Sequence, residues 1–135
     1  MGRAYDCLGE RAPLSLSPSG AFQLGGLVRN CALLVSSEHI YAWHPAGNVI
    51  DEREVLEFVD GHEPVRGEFL LLGTGPTLVF PSPSFRAEID QRGLGLEAMD
   101  TSAACRTFNV LVAEGRRFTA ALLPVDPRLL LMPVR

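Results

Sequence analysis

Two short segments carry the groups with the widest chemical scope. Gly73, Thr74 and Gly75 follow the apolar run 69–72. Glycines in such a loop let backbone N–H groups converge on an oxyanion, so it reads as a phosphate or carboxylate nest. It reads equally as a tight turn at the head of a strand, where positive φ is needed. The pattern stops short of GxGxxG, and Pro76 and Thr77 follow in place of a helix, so no P-loop or dinucleotide fingerprint is present. The second segment, Asp100-Thr101-Ser102-Ala103-Ala104-Cys105-Arg106, opens a predicted helix straight after a predicted strand. If the two strands are parallel neighbours, both segments lie at the carboxyl edge, where open α/β sheets hold ligands. Asp100 and Thr101 then either bind a ligand or cap the helix. Cys105, near a helix N-terminus beside Arg106, is either a reactive thiol or a buried inert one. A catalytic thiol needs a base, and His39, His44 and His62 all lie in the first half of the chain.

Arg106, Asn109 and Arg116 extend the polar set along the same helix, with Glu114 and Arg117 beside them. They form either a solvated face with local ion pairs or a docking surface, since arginine binds carboxylates with a planar fork. All 12 basic residues are arginine. Without lysine there is no P-loop lysine, Schiff base or lysine general base. The formal net charge of -4 argues against nucleic acid as a partner. Cys7, Cys31 and Cys105 show no CxxC pair and no Cys/His ligand spacing, so neither a metal site nor a disulfide framework is expected. No apolar run approaches the roughly 20 residues of a membrane helix, and residues 1–18 lack the pattern of a signal peptide. A cytoplasmic protein without membrane insertion is the expectation.

The 135 residues suit one domain, with 1–18 as a loose lead-in and 126–135 as an irregular tail. Within the lead-in, 14–16 reads as a short strand. Residues 21–24 and 27–28 flank Gly25-Gly26 as a hairpin, and 31–35 and 40–43 read as strands. From Asp51 the period becomes helical, with Val55, Leu56 and Val59 on one face and Gly61 as the stop. Residues 69–72 form a strand apolar on both faces, which 78–80 extends or flanks. Ser82 or Ser84 caps a helix running to about Arg92, with Phe85 and Ile89 inward. A strand at 95–99, a helix from Asp100 or Thr101 to about Glu114, and a strand at 118–123 complete the body. The cluster 129–132 adds an edge strand or docks on the body. Alternating strands and helices from Ile40 to Leu123 predict an α/β fold: a mixed central sheet with parallel βαβ units, helices packed on it, and an N-terminal antiparallel β layer, in which the first 36 residues add strands at a sheet edge or form a small second layer.

The blocks Leu70-Leu71-Leu72-Gly73-Thr74-Gly75 and Glu97-Ala98-Met99-Asp100-Thr101-Ser102-Ala103-Ala104-Cys105-Arg106-Thr107-Phe108-Asn109-Val110-Leu111 carry a resemblance. With Glu114-Gly115-Arg116 and Ala120-Ala121-Leu122-Leu123-Pro124, they resemble the Mth938-domain family of small α/β proteins. That family includes mitochondrial complex I assembly factor 3 and the adipogenesis-associated Mth938 domain protein. The resemblance covers most of the chain and is strongest from Leu70 to Pro124. It implies an α/β fold with an extra β layer, no established catalytic activity, no cofactor, and a protein-binding role in assembly. Two functions follow as expectations. One is a non-enzymatic protein-interaction module, an assembly or accessory factor for a membrane-associated complex, docking through the Arg106–Arg116 helix and the strand ends beside Gly73. The other is a small-anion or metabolite binder, or an enzyme, with its pocket between Gly73, Thr74 and Gly75 and the Asp100-to-Arg106 segment. Self-association through the hairpin edge near Phe22 is a further possibility.

Overall fold

The computed structural model describes residues 5–47 and 49–126. The first third folds into strands. They are β1 (Tyr5–Glu10), β2 (Ser15–Leu16), β3 (Phe22–Leu24), β4 (Leu27–Arg29), β5 (Ala32–Val35) and β6 (His39–Trp43). Helix α1 (Glu52–His62) and strand β7 (Phe69–Gly73) follow, then α2 (Pro83–Gln91), β8 (Gly95–Met99), α3 (Thr101–Ala113) and β9 (Thr119–Leu122). A six-stranded sheet runs β1-β6-β5-β9-β7-β8, and a separate three-stranded sheet runs β2-β3-β4. β7 lies between β9 and β8 and is parallel to both, whereas β5 is antiparallel to β6 and β9. This is the expected mixed α/β sheet with its N-terminal antiparallel layer.

Period-two alternation sorts the central strands between two cores. Leu33, Val35, Leu71, Ala120 and Leu122 face α3 and the small sheet. Ala32, Leu34, Leu70, Leu72 and Ala121 face α1 and α2. Both faces are covered, so these strands read as continuous apolar runs. Local signals start and stop the elements. Asp51, Ser82 and Asp100 cap the three helices, accepting from the backbone N–H of Glu54, Phe85 and Ala103. Gly25 and Gly26, with φ of 55° and 89°, turn the β3–β4 hairpin. Arg92 forks onto both Asp60 oxygens (2.7 and 2.9 Å) and reaches Glu88 (2.9 Å), clamping α2 to α1. Those hydrogen bonds hold the Asp60 carboxyl below its usual range.

Four details depart from the expectations. Residues 5–10 are not loose: they form β1, an edge strand on β6, with Tyr5 packed edge-on against Tyr41 and Phe58. Helix α1 passes Gly61 to His62 and ends on Glu63 at φ 44°. The extra residue is fixed because His62 Nδ1–H donates to Phe58 O (2.8 Å), leaving Nε2 to accept from Tyr41 Oη–H (3.2 Å). Residues 78–80 are no strand but an exposed loop between Pro76 and Pro81. β5 sits inside the large sheet between β6 and β9, while β2, β3 and β4 make the second layer. The cluster 129–132 lies outside the described residues.

Candidate functional site

The structure does bring Gly73, Thr74 and Gly75 beside the start of α3. The β7–β8 register pairs Gly73 with Met99, so both segments leave the same sheet edge. Their polar groups face one another. Thr74 N–H donates to Met99 O (2.9 Å), and Gly75 N–H donates to Thr101 Oγ1 (2.8 Å). Thr101 Oγ1–H donates onward to Leu123 O (2.6 Å), and Thr101 N–H donates to Gly75 O (2.9 Å). Thr74 Oγ1 donates to Thr77 O (2.7 Å) and accepts from Val79 N–H (2.9 Å). The donors that would form a nest are engaged in a buried knot tying the ends of β7, β8 and β9. Gly75, at φ 95°, supplies the positive-φ turn inside it.

The remaining predicted residues diverge. Asp100 caps α3 through Ala103 N–H (2.8 Å). Cys105 points into the core, and burial pushes its thiol up to about 11 despite the neighbouring Arg106 charge. Arg106, the next residue round the helix, is exposed and makes no ion pair among the described residues. The Asn109 amide reads the backbone of Leu14, accepting from its N–H (2.8 Å) and donating to its C=O (2.6 Å). It therefore holds the small sheet to α3. Arg116 is exposed, with Glu114 at 3.8 Å. Trp43 and Phe118 are buried, and Trp43 Nε1–H donates to Glu54 (3.1 Å). Among the described residues, no three His, Cys, Asp or Glu side chains converge as metal ligands.

The Cys105 environment makes a direct prediction. With its pKa near 11, about one Cys105 in a thousand is thiolate at pH 8, and burial shields even that. Iodoacetamide at pH 8 should therefore label exposed Cys7 first. Cys31 and Cys105 should react only once the fold is opened by denaturant, as read by intact-mass and peptide mass spectrometry. Rapid native labelling of Cys105 would restore the reactive-thiol reading.

What the sequence reading missed lies just above the knot. A groove of about 170 Å³ is floored by Leu72 and Leu123 and walled by Ile50, Val79, Phe80 and Pro81. Glu52 lies on its rim, with both carboxylate oxygens taken by Ser82, from Oγ–H (2.6 Å) and N–H (2.8 Å). The opening is thus apolar, with its polar neighbours already paired. Around it Leu78, Val79 and Phe80 are 44%, 55% and 75% exposed, and Val49 is exposed too. The available signal was three consecutive apolar residues in a loop closed at each end by proline. No described helix is long and apolar enough to cross a membrane.

Residues 17–123 match the family described as a protein of unknown function (DUF498/DUF598). An uncharacterized protein of Rhodobacter capsulatus is 32% identical over 106 residues, covering 78% of this chain and 79% of its own. NADH dehydrogenase (ubiquinone) 1 alpha subcomplex assembly factor 3 of Bos taurus is 36% identical over 94 residues, which are 70% of this chain. Those residues span half the length of the bovine protein. The solution structure of a Mth938-like domain from Bordetella pertussis superposes with a TM-score of 0.64 at 27% identity, covering 84% of this chain and 86% of that one. The fold, the matched blocks and these relatives agree: the chain belongs to the Mth938-like family of small α/β domains, the family that contains the assembly factor 3 proteins.

Proposed function

We propose that the chain is a non-catalytic protein-docking module that serves as an assembly or accessory factor for a membrane-associated complex. Its docking surface centres on the loop carrying Leu78, Val79 and Phe80. The observation that carries this reading is the exposure of Phe80 (75%) beside an apolar groove at the carboxyl edge of the sheet. Exposed apolar patches next to a cavity mark protein-binding surfaces, and aromatic anchors supply most of their binding energy. A groove of about 170 Å³ has room for one leucine- or phenylalanine-sized side chain of a partner. The engagement of Thr74, Gly75 and Thr101 within the fold weighs against a pocket for small anions between Gly73 and Arg106. The relatives named as NADH dehydrogenase assembly factors support proteins as partners, and the formal net charge of -4 weighs against nucleic acid. On this reading the module works in the cytoplasm.

The test is affinity purification of the tagged full chain from its own host, with quantitative mass spectrometry of wild type and Phe80→Asp. Because Phe80 is outside the core, the variant should keep its melting temperature. It should also lose about tenfold in recovery of a specific set of proteins, subunits of an NADH dehydrogenase among them. An unchanged protein set in a folded Phe80→Asp variant would sink the reading.

A further inference from the structure

Strand β8 closes the six-stranded sheet on one side. Gly95 N–H donates to Glu68 O (3.0 Å) and Thr74 N–H to Met99 O (2.9 Å). In the parallel register Phe69↔Gly95, Leu71↔Glu97, Gly73↔Met99, the backbone groups of Gly95, Glu97 and Met99 therefore turn towards β7. Those of Leu96 and Ala98 turn outward. Two N–H and two C=O groups line this edge, and no described element pairs with them. Folded proteins usually blunt such edges with proline, a bulge or inward charge. The opposite edge is blunted in this way, since β1 carries a register shift between Cys7 and Gly9. β2 and β4 are only two and three residues long. β8 has five residues, no proline and no bulge, and its one charged residue, Glu97, is exposed and not turned into the core.

A second feature lies alongside. Between α2 and the outer side of β8 runs a groove of about 430 Å³, walled by Arg86, Ile89, Asp90, Leu94 and Leu96. Leu96 and Ala98 pack on the α1/α2 side of the sheet and Met99 on the α3 side, so exposed Glu97 also faces the α3 side. A strand added here would place alternate side chains in the α2 groove and the others beside Glu97.

We infer that β8 is a strand-addition site for an extended segment of a partner protein, with apolar residues entering the α2 groove and cationic residues between them meeting Glu97. The backbone edge selects an extended chain, since only another strand satisfies alternating outward N–H and C=O groups. Charge selects against a second copy. In the antiparallel register of fullest overlap, with Leu96 opposite Ala98, Glu97 would sit directly across from Glu97 of the other molecule, and facing like charges destabilise a sheet. The inference rests on the protein-docking reading and assigns it a second surface, on the far side of β7 from β9.

The test uses hydrogen exchange by NMR on the 15N-labelled full chain, with a capped heptapeptide of alternating valine and arginine as the probe. In the free protein the Leu96 and Ala98 amides should exchange at least about tenfold faster than those of Glu97 and Met99. Saturating peptide should slow them by about tenfold, while a twin peptide N-methylated at alternate residues should not. Ala98→Pro removes one outward N–H without touching the ladder to β7, and edge positions tolerate proline in this way. It should abolish the slowing. Glu97→Arg, at an exposed side chain, should transfer the preference to a valine–glutamate peptide. Slow exchange of Leu96 and Ala98 in the free chain would overturn the inference. If that protection disappears on dilution, a second copy covers the edge; if it persists, the chain's own residues do. Absence of any peptide effect overturns it as well. If Ala98→Pro loses no partner in the same purification while Phe80→Asp does, strand addition fails while the docking reading stands. If peptide protection is observed and Phe80→Asp changes no partner, the groove reading fails instead.

Discussion

Thr101→Val is expected to lower the unfolding free energy by about 3 kcal/mol, although valine matches threonine in shape. The reason is that Thr101 is fully buried and its hydroxyl serves two backbone groups, Gly75 N–H at 2.8 Å and Leu123 C=O at 2.6 Å. Removing the hydroxyl strands both, and each unsatisfied buried group costs about 1–3 kcal/mol. Helix propensity does not offset this, because valine and threonine rank together. For a domain of this size the loss corresponds to a fall in melting temperature of roughly 12 °C. Thr101→Ser keeps the hydroxyl and removes one methyl group, so it should cost only about 1 kcal/mol. Urea titration of the three proteins checks the order. Equal stability of Thr101→Val and Thr101→Ser would mean that water or a shifted backbone satisfies Gly75 and Leu123, and the knot would lose its structural role.

That knot shows where the sequence was legible and where it was not. Helix α3 was legible because its signals are local: Asp100 as cap, an apolar stripe through Ala104, Phe108 and Leu111, and Gly115 after the last turn. β5, β7 and β9 were legible because strands covered on both faces are apolar at every position. β1 was not, because its evidence is remote. Asp6 and Glu10 dilute the apolar pattern, the bulge near Gly9 breaks the alternation, and its partner β6 begins at His39, well along the chain. The stop of α1 was misread for a related reason. Gly61 is a common terminator, but the bond from His62 to Phe58 O and the contact with Tyr41 carry the helix one residue further.

The candidate site was legible as a place but not as a role. Gly73, Thr74 and Gly75 were correctly brought to the start of α3. Whether their N–H groups face a ligand or the fold depends on Thr101, 26 residues beyond Gly75, and on the C=O of Leu123, which joins from the end of β9. No spacing rule separates these outcomes, since both need small residues and a nearby oxygen. Cys105 and Arg106 illustrate the same limit at shorter range. Neighbours on a helix are separated by about 100°, so one lies in the core and the other in solvent. Phe80 was misplaced because an apolar triplet is ordinarily a strand, and only the flanking prolines distinguish a loop.

Gly73→Ala tests how closely α3 lies on the sheet. Gly73 is not among the positive-φ residues, so alanine meets no backbone strain there. By itself, the reduced freedom of the unfolded chain would favour alanine by about 0.4–1 kcal/mol. Against this, the added Cβ would come to 2.9 Å from Leu122 Cδ2 and 3.1 Å from both Ala104 Cβ and Thr101 Oγ1. The Leu122 methyl is the soft neighbour, but it is buried. Ala104 Cβ is fixed to the helix, and Thr101 Oγ1 is held by its two hydrogen bonds. Overpacking of this kind costs about 1–3 kcal/mol, which exceeds the entropic gain, so the net expectation is a loss of about 2 kcal/mol. Gly73→Val adds two further methyl groups to the same space and should exceed about 4 kcal/mol. If the clash is the cause, shortening Leu122 should relieve it. In a double-mutant cycle, Leu122→Val should then recover at least about 1 kcal/mol of the Gly73→Ala loss. A neutral or stabilising Gly73→Ala would mean that α3 moves away from β7 at little cost. The Thr101 bridge, which depends on that closeness, could not then hold the ends of β7 and β9 as tightly as its 2.6 and 2.8 Å contacts require.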